Sequence, residues 1–204
     1  SEDMKDLLIE KGTDPKKIEV IYNWSYSDEL YQYEDVFSEK IAEFLPSNKF
    51  NVVYAGNIGI MQNVDIMVDT AKLMKEDTNV HFHIFGDGLY KERLQQEAEG
   101  LSNVSFWPMQ PSELAPSIYA MADVNVIPLA SNIYKTALPS KTATCIACQE
   151  GYFLTDSGNA DELKRIIVKI RSVYPKINVS IFFSKNFLRS INSKKYNDLI
   201  IGKR

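Results

Sequence analysis

The stretch Phe50 to Asp65, FNVVYAGNIGIMQNVD, decides the fold. Its first six residues, Phe50-Asn51-Val52-Val53-Tyr54-Ala55, form a β-branched and aromatic run, long enough for a buried strand and too short for a helix. The run stops at Gly56-Asn57-Ile58-Gly59, where two glycines permit dihedrals and close approaches closed to other residues. From Gln62 the apolar period changes: Val64, Met67, Val68, Ala71 and Met74 recur at threes and fours, as on one face of a helix. Strand, glycine turn and helix together leave free backbone N–H groups pointing at an anion. Such turns also occur in α/β proteins that hold nothing there, so the remainder of the chain has to decide.

The same unit recurs downstream. Asn79 to Phe85 reads as a second strand closing on Gly86-Asp87-Gly88, followed by a helix from Leu89 to Ala98 with Leu94 and Ala98 inward. Val104-Ser105-Phe106 is a third, brief strand leading into Trp107-Pro108-Met109-Gln110, and Pro111-Ser112-Glu113-Leu114 opens a helix with proline in its first turn. Ala122 to Pro128 gives a fourth strand, Ser131 to Leu138 a loop, and Pro139-Ser140-Lys141 the start of a helix through Cys148. Gly151 to Leu154 reads as a short strand, Asn159 to Val173 as an amphipathic helix and Phe187 to Ile200 as a final helix. Four successive strand–turn–helix units predict an α/β fold, a parallel sheet with right-handed crossovers and helices on both faces. Ligands of such sheets bind at the carboxyl ends of the strands. Upstream, Ser1 to Lys11 predicts a helix stopped by Gly12, and the alternation in Lys17 to Tyr22 predicts a strand. Asn23 to Ser47 is a long polar loop with a helical piece near Phe37 to Phe44; its aromatics Trp24, Tyr26, Tyr31, Tyr33 and Phe37 are read as packing onto the domain.

Composition narrows the partners. The 204 residues are 45% hydrophobic and 25% charged, with a net charge of −4, so no broad basic surface exists to hold nucleic acid. Any phosphate must be held locally, by turns and single cations. Cys145 and Cys148 lie in an apolar run without a second pair or nearby histidines, and are read as small buried residues on a helix. His81 and His83 alternate along a strand at no metal spacing, and are read as structural. No run has the apolar length of a membrane span and no signal peptide opens the sequence, which predicts a reducing, cytoplasmic setting.

Taken in order, Tyr54-Ala55-Gly56-Asn57-Ile58-Gly59 with Gln62, Phe85-Gly86-Asp87-Gly88, Val104-Ser105-Phe106, Ala122-Asp123 and Pro139-Ser140-Lys141 resemble one family. It is the donor-binding, carboxyl-terminal half of the GT-B glycosyltransferases of family 4, in the bacterial branch that builds O-antigen, capsule and colanic-acid-type polysaccharides. The resemblance covers Asp14 to Gln149 and returns at Gly151 to Leu163 and in the last helix. It implies a linker region at residues 1–16, a Rossmann-like nucleotide-sugar domain at 17–184 and a C-terminal helix at 185–204. It further implies metal-independent transfer from a nucleotide-diphosphate sugar, with a UDP-sugar the family's commonest donor, and no cofactor beyond that substrate. The acceptor would be a growing, lipid-linked glycan brought by an amino-terminal domain, with peripheral membrane association of the full-length enzyme. This chain alone is then expected to be inactive.

The resemblance also assigns roles. The turn of Gly56, Asn57 and Gly59 would face the diphosphate and sugar, with Gly86 and Gly88 beside it. Many members carry an arginine and a lysine where this chain has the neutral Asn57 and Gln62. Lys141, in the first helical turn after Ser140, is therefore the expected phosphate cation. Met109 and Gln110 would offer backbone groups to the base. Two glutamates usual in the family align with Thr136 and Thr144, so the ribose and sugar contacts lie elsewhere or with Thr144 itself, and no catalytic residue is assigned. The family also has a further strand and helix after the position of Cys148. Residues missing near Gln149-Glu150 are expected to account for this, since losing an inner strand would leave its neighbour an unpaired edge. Two other readings stay open: a non-catalytic binding or partner module of the same fold, and a nucleotide-sugar 2-epimerase.

Overall fold

The computed structural model describes residues 1–24, 31, 33–129, 139–148, 152–154, 159–172 and 192–195. Five strands make one parallel sheet: β1 (Phe50–Ala55), β2 (Val80–Phe85), β3 (Val104–Trp107), β4 (Val124–Val126) and β5 (Tyr152–Leu154), in the order β3-β2-β1-β4-β5. The order reverses between β1 and β4, the position where open α/β sheets form a crevice.

The helices that accompany the sheet are α1 (Glu2–Glu10), α2 (Tyr33–Val36), α3 (Glu39–Ala42), α4 (Asp65–Leu73), α5 (Lys91–Glu97), α6 (Ala115–Met121), α7 (Lys141–Ala147) and α8 (Ala160–Ser172). They divide over two faces because successive strand residues point to opposite sides. Val52, Tyr54, Phe82, Ile84, Val124 and Val126 pack with Met67, Val68 and Ala71 of α4, Leu94 of α5 and Leu163 and Ile167 of α8. Val53 and Phe85 face the other way, onto Ile41 of α3, Ile118 and Tyr119 of α6 and Cys145 of α7. Both cysteines are buried free thiols, as expected.

Two expectations are corrected. Lys17 to Tyr22 forms no strand. A 3-10 turn covers Pro15–Lys17, and residues 18–22 belong to none of the sheet's strands. The alternation is real, with Ile18 and Val20 half-buried and Glu19 exposed, but it pairs with none of the five strands. The helix expected from Gln62 begins at Asp65, because Ile60–Gln62 form a 3-10 turn and Asn63 sits in the left-handed region at φ 48°. The helical piece expected near Phe37 to Phe44 is α3, and a further short helix, α2, precedes it. At the other edge of the sheet, β5 pairs directly with β4, Asn125 against Phe153. The edge that a lost inner strand would have bared is thus filled. The last expected helix is described only at residues 192–195, which are helical, and the loop at 131–138 lies outside the described residues.

Candidate functional site

The carboxyl ends of β1 and β2 interlock. The N–H of Gly56 donates to the carbonyl of Phe85 at 2.9 Å, that of Ile58 to Asp87 at 2.8 Å, and that of Tyr90 to Ile58 at 3.2 Å. Gly86 and Gly88 have φ of 151° and 152°; a Cβ on either would stand 1.9 Å from the carbonyl oxygen of Gly56 or 2.2 Å from that of Ile58. These two glycines exist so that two backbones can touch. Gly59 differs: a Cβ there would meet only side chains, those of Gln62 and Asn57, which are joined by an amide–amide hydrogen bond of 3.3 Å.

Lys141 stands at the reversal of strand order. It opens α7, after β4, and its Nζ lies over the ring of Tyr54 of β1, 4.1 Å from the centroid. A Cβ on Gly56, whose φ is 147°, would be 2.5 Å from that Nζ, so the ammonium rests against the glycine turn. Burial pushes its pKa down to about 8, and the neighbouring Cys145 opposes this only weakly. No carboxylate bridges to it among the described residues. A partly buried cation without such a partner among the described residues is costly to the unliganded protein and favours an arriving anion. Ser140 precedes it at the helix start with no capping hydrogen bond from its side chain, and Thr144 lies buried one turn further on. Thr136 lies outside the described residues.

The loop after β3 is fastened from two sides. Asp87 accepts from Lys91 Nζ at 2.8 Å and from the Met109 N–H at 3.2 Å, and these bonds hold its carboxyl below the usual range. Lys91 Nζ also donates to the carbonyl of Gly86 at 2.8 Å. Of the backbone groups expected to serve a base here, the Met109 N–H donates to Asp87, which leaves the Met109 carbonyl. Gln110 donates from Nε2 to Pro108 at 3.0 Å, and its Oε1 is buried without a partner. Beneath the loop, Trp107 Nε1 donates to His83 Nδ1 at 3.1 Å, while His83 Nε2 meets Asn51 Oδ1 at 3.1 Å. Both bonds are made only by a neutral imidazole protonated on Nε2. Burial, helped by His81, lowers its pKa to about 3. His81 bonds Ser105 at 2.9 Å, so both histidines are structural.

Gly56, Asn57, Gly59, Gln62 and Lys141 are thus brought together, with Gly86 and Gly88 behind them and Met109 reached through Asp87. The sequence reading missed Tyr54, whose only signal is its place two residues before Gly56. It also missed the Asp87–Lys91 pair, visible in hindsight as an i,i+4 spacing. Among the described residues no group of three or more His, Cys, Asp or Glu is placed to hold a metal ion, and no helix is long and apolar enough to cross a membrane.

The family model described as glycosyl transferases group 1 matches residues 49–172, more than half of the chain. This chain belongs to that family. WcaI of Escherichia coli (strain K12), whose name describes a colanic acid biosynthesis glycosyl transferase, is 29% identical over 154 residues, which are 72% of this chain and 37% of WcaI. WbjE of Pseudomonas aeruginosa, named as a glycosyltransferase, is 25% identical over 171 residues, 81% of this chain and 41% of WbjE. The chain therefore spans about two fifths of these relatives. Two solved structures share the fold. Anabaena Alr3699/HepE in complex with UDP has a TM-score of 0.69 at 19% identity, covering 96% of this chain and 60% of that one. The lipopolysaccharide outer core galactosyltransferase WaaB, in its apo form, has a TM-score of 0.66 at 17% identity, covering 98% and 60%. The Rossmann-like half of a GT-B glycosyltransferase, expected from the order of the motifs, is the observed architecture.

Proposed function

We propose that this chain is the nucleotide-sugar-binding half of a bacterial glycosyltransferase that transfers a hexosyl or N-acetylhexosaminyl group from a UDP-sugar to a growing, lipid-linked glycan. The observation that carries the reading is the Lys141 ammonium, without a counter-ion among the described residues, seated against the Gly56 turn at the reversal of strand order. The diphosphate lies beside that ammonium and the turn, in reach of both. Asn57 and Gln62 add neutral hydrogen bonds, Ser140 and Thr144 flank the cation, and the base rests against the loop of Met109 and Gln110. No metal is required, because Lys141 supplies the positive charge. HepE in complex with UDP supports uridine as the base.

Calorimetry with the 204-residue chain tests this. Lys141→Ala should weaken UDP binding by roughly ten- to a hundredfold, the worth of one charged hydrogen bond at about 1.5–3 kcal/mol. Uridine binding should be unchanged, and the UDP effect should shrink in salt. Equal loss of UDP and uridine, or no loss of either, overturns the reading. The chain alone should transfer no sugar to a defined glycan acceptor, since the acceptor face belongs to another domain. Thr144 in place of a carboxylate favours the second reading, a binding module without chemistry; failure of the full-length protein to turn over any UDP-sugar that it binds would establish it. The epimerase reading loses ground because His81 and His83 are engaged inside the sheet.

A further inference from the structure

The phenol of Tyr54 is fully buried at the end of β1, and its hydroxyl donates to the carbonyl of Asn57. That bond reaches over Gly56 and fixes the turn whose other contacts run to β2. The ring face carries the Lys141 ammonium at 4.1 Å, well inside the roughly 6 Å over which a ring quadrupole attracts a cation. A phenylalanine would fill the same core space and leave the Asn57 carbonyl without its donor. A leucine would remove the ring as well.

We infer that Tyr54 is the positioning residue of the anion site, its hydroxyl setting the Gly56–Asn57 turn and its ring holding the Lys141 ammonium against that turn. The inference rests on the diphosphate reading above and adds to it what keeps the cation charged and in place. Among the described residues the groups facing Lys141 are few. Along α7, Cys145 is one turn away, a buried thiol pushed up and hence neutral. From β1 the phenol of Tyr54 is itself raised by burial and neutral. Asp87, at the end of β2, is engaged by Lys91 and Met109. With no carboxylate bridging to it among the described residues, the ring takes over part of the solvation that burial removes from the ammonium. Loss of the ring should then lower the pH at which Lys141 discharges.

Two measurements read this, one without ligand. In lysine-labelled unliganded protein, the Lys141 ε-methylene protons, assigned by their disappearance in Lys141→Met, should lie upfield in the wild type and in Tyr54→Phe. They should return to ordinary lysine positions in Tyr54→Leu. In calorimetry, wild-type UDP affinity should fall above a pH of about 8 as Lys141 discharges. Tyr54→Phe should keep that pH limb but bind UDP about three- to tenfold more weakly at pH 7, with uridine binding unchanged. Tyr54→Leu should move the limb down by about half to one pH unit. Ordinary Lys141 shifts in the wild type overturn the inference whether or not any variant folds, as does an unmoved limb in Tyr54→Leu. If the wild type binds uridine but not UDP, the diphosphate reading fails, and the ring shift still decides what Tyr54 does to Lys141.

Discussion

Replacing Lys141 by methionine is expected to stabilise the unliganded protein while abolishing tight UDP binding, a trade set by the lysine's surroundings. Its pKa of about 8 lies below the 10.5 of an ordinary lysine. At about 1.4 kcal/mol per unit, that depression means that the charged side chain costs the fold about 3 kcal/mol at neutral pH. The attraction of the Tyr54 ring for the ammonium is already part of that balance. Methionine keeps the length and drops the charge, so a gain of up to about 3 kcal/mol is expected, a rise in melting temperature of roughly 6–12 °C for a chain of this size. The sign of the pH dependence follows from proton counting. Between about 8 and 10.5 the unfolded lysine holds a proton that the folded one has lost, so wild-type stability rises with pH through that window. The advantage of the variant should therefore be full at pH 7 and largely gone by pH 10.5. Urea melts of both proteins at pH 7, 9 and 10.5 measure it, and subtraction removes every other titrating group. A variant that is no more stable at pH 7, with a difference that does not change with pH, would refute the reasoning that Lys141 is held charged in a desolvated place.

Gly86→Ala and Gly88→Ala should each prevent folding or cost more than about 3 kcal/mol in urea melts, since the new methyl would overlap backbone that cannot move alone. Gly100→Ala, at φ 81° with open space around it, should cost only about 1 kcal/mol. His83 is held neutral, with a pKa depressed to about 3 against 6.5. The unfolded chain therefore binds the extra proton between those values, and stability should fall as pH drops through that window. His83→Gln should flatten the slope, and an unchanged slope would show that acid sensitivity arises elsewhere.

Local features were legible in the sequence. The run from Phe50 to Ala55 became β1, the apolar positions from Val64 to Met74 became the inward face of α4 and its flanks, and the glycine pairs fell at strand ends. Lys17 to Tyr22 misled because alternation records which face is wet and says nothing about whether a neighbouring strand has an open edge. The helix start at Gln62 was early because Asn63 can adopt the left-handed region without any mark on its neighbours. Of the candidate site, the residues gathered around the Gly56 turn could be read from spacing and resemblance. The supports could not: Tyr54 meets Lys141 across 87 positions and Trp107 meets His83 across 24, pairings made by the strand order and not by any local period.

The interlocked turns at Gly56–Ile58 and Gly86–Gly88 also limit how this surface can be re-engineered. Each loop is the mould in which the other is cast. A segment grafted after β1 from a relative would arrive with carbonyls in slightly different places, and Gly86 and Gly88 have no slack to receive them. A library that varies one loop while holding the other constant would therefore be spent mostly on chains that do not fold, and its survivors would under-report what the site can recognise. Exchanging both segments as a matched pair, together with the Asp87–Lys91 fastening to the third loop, is the smallest transplant that carries its own fit with it.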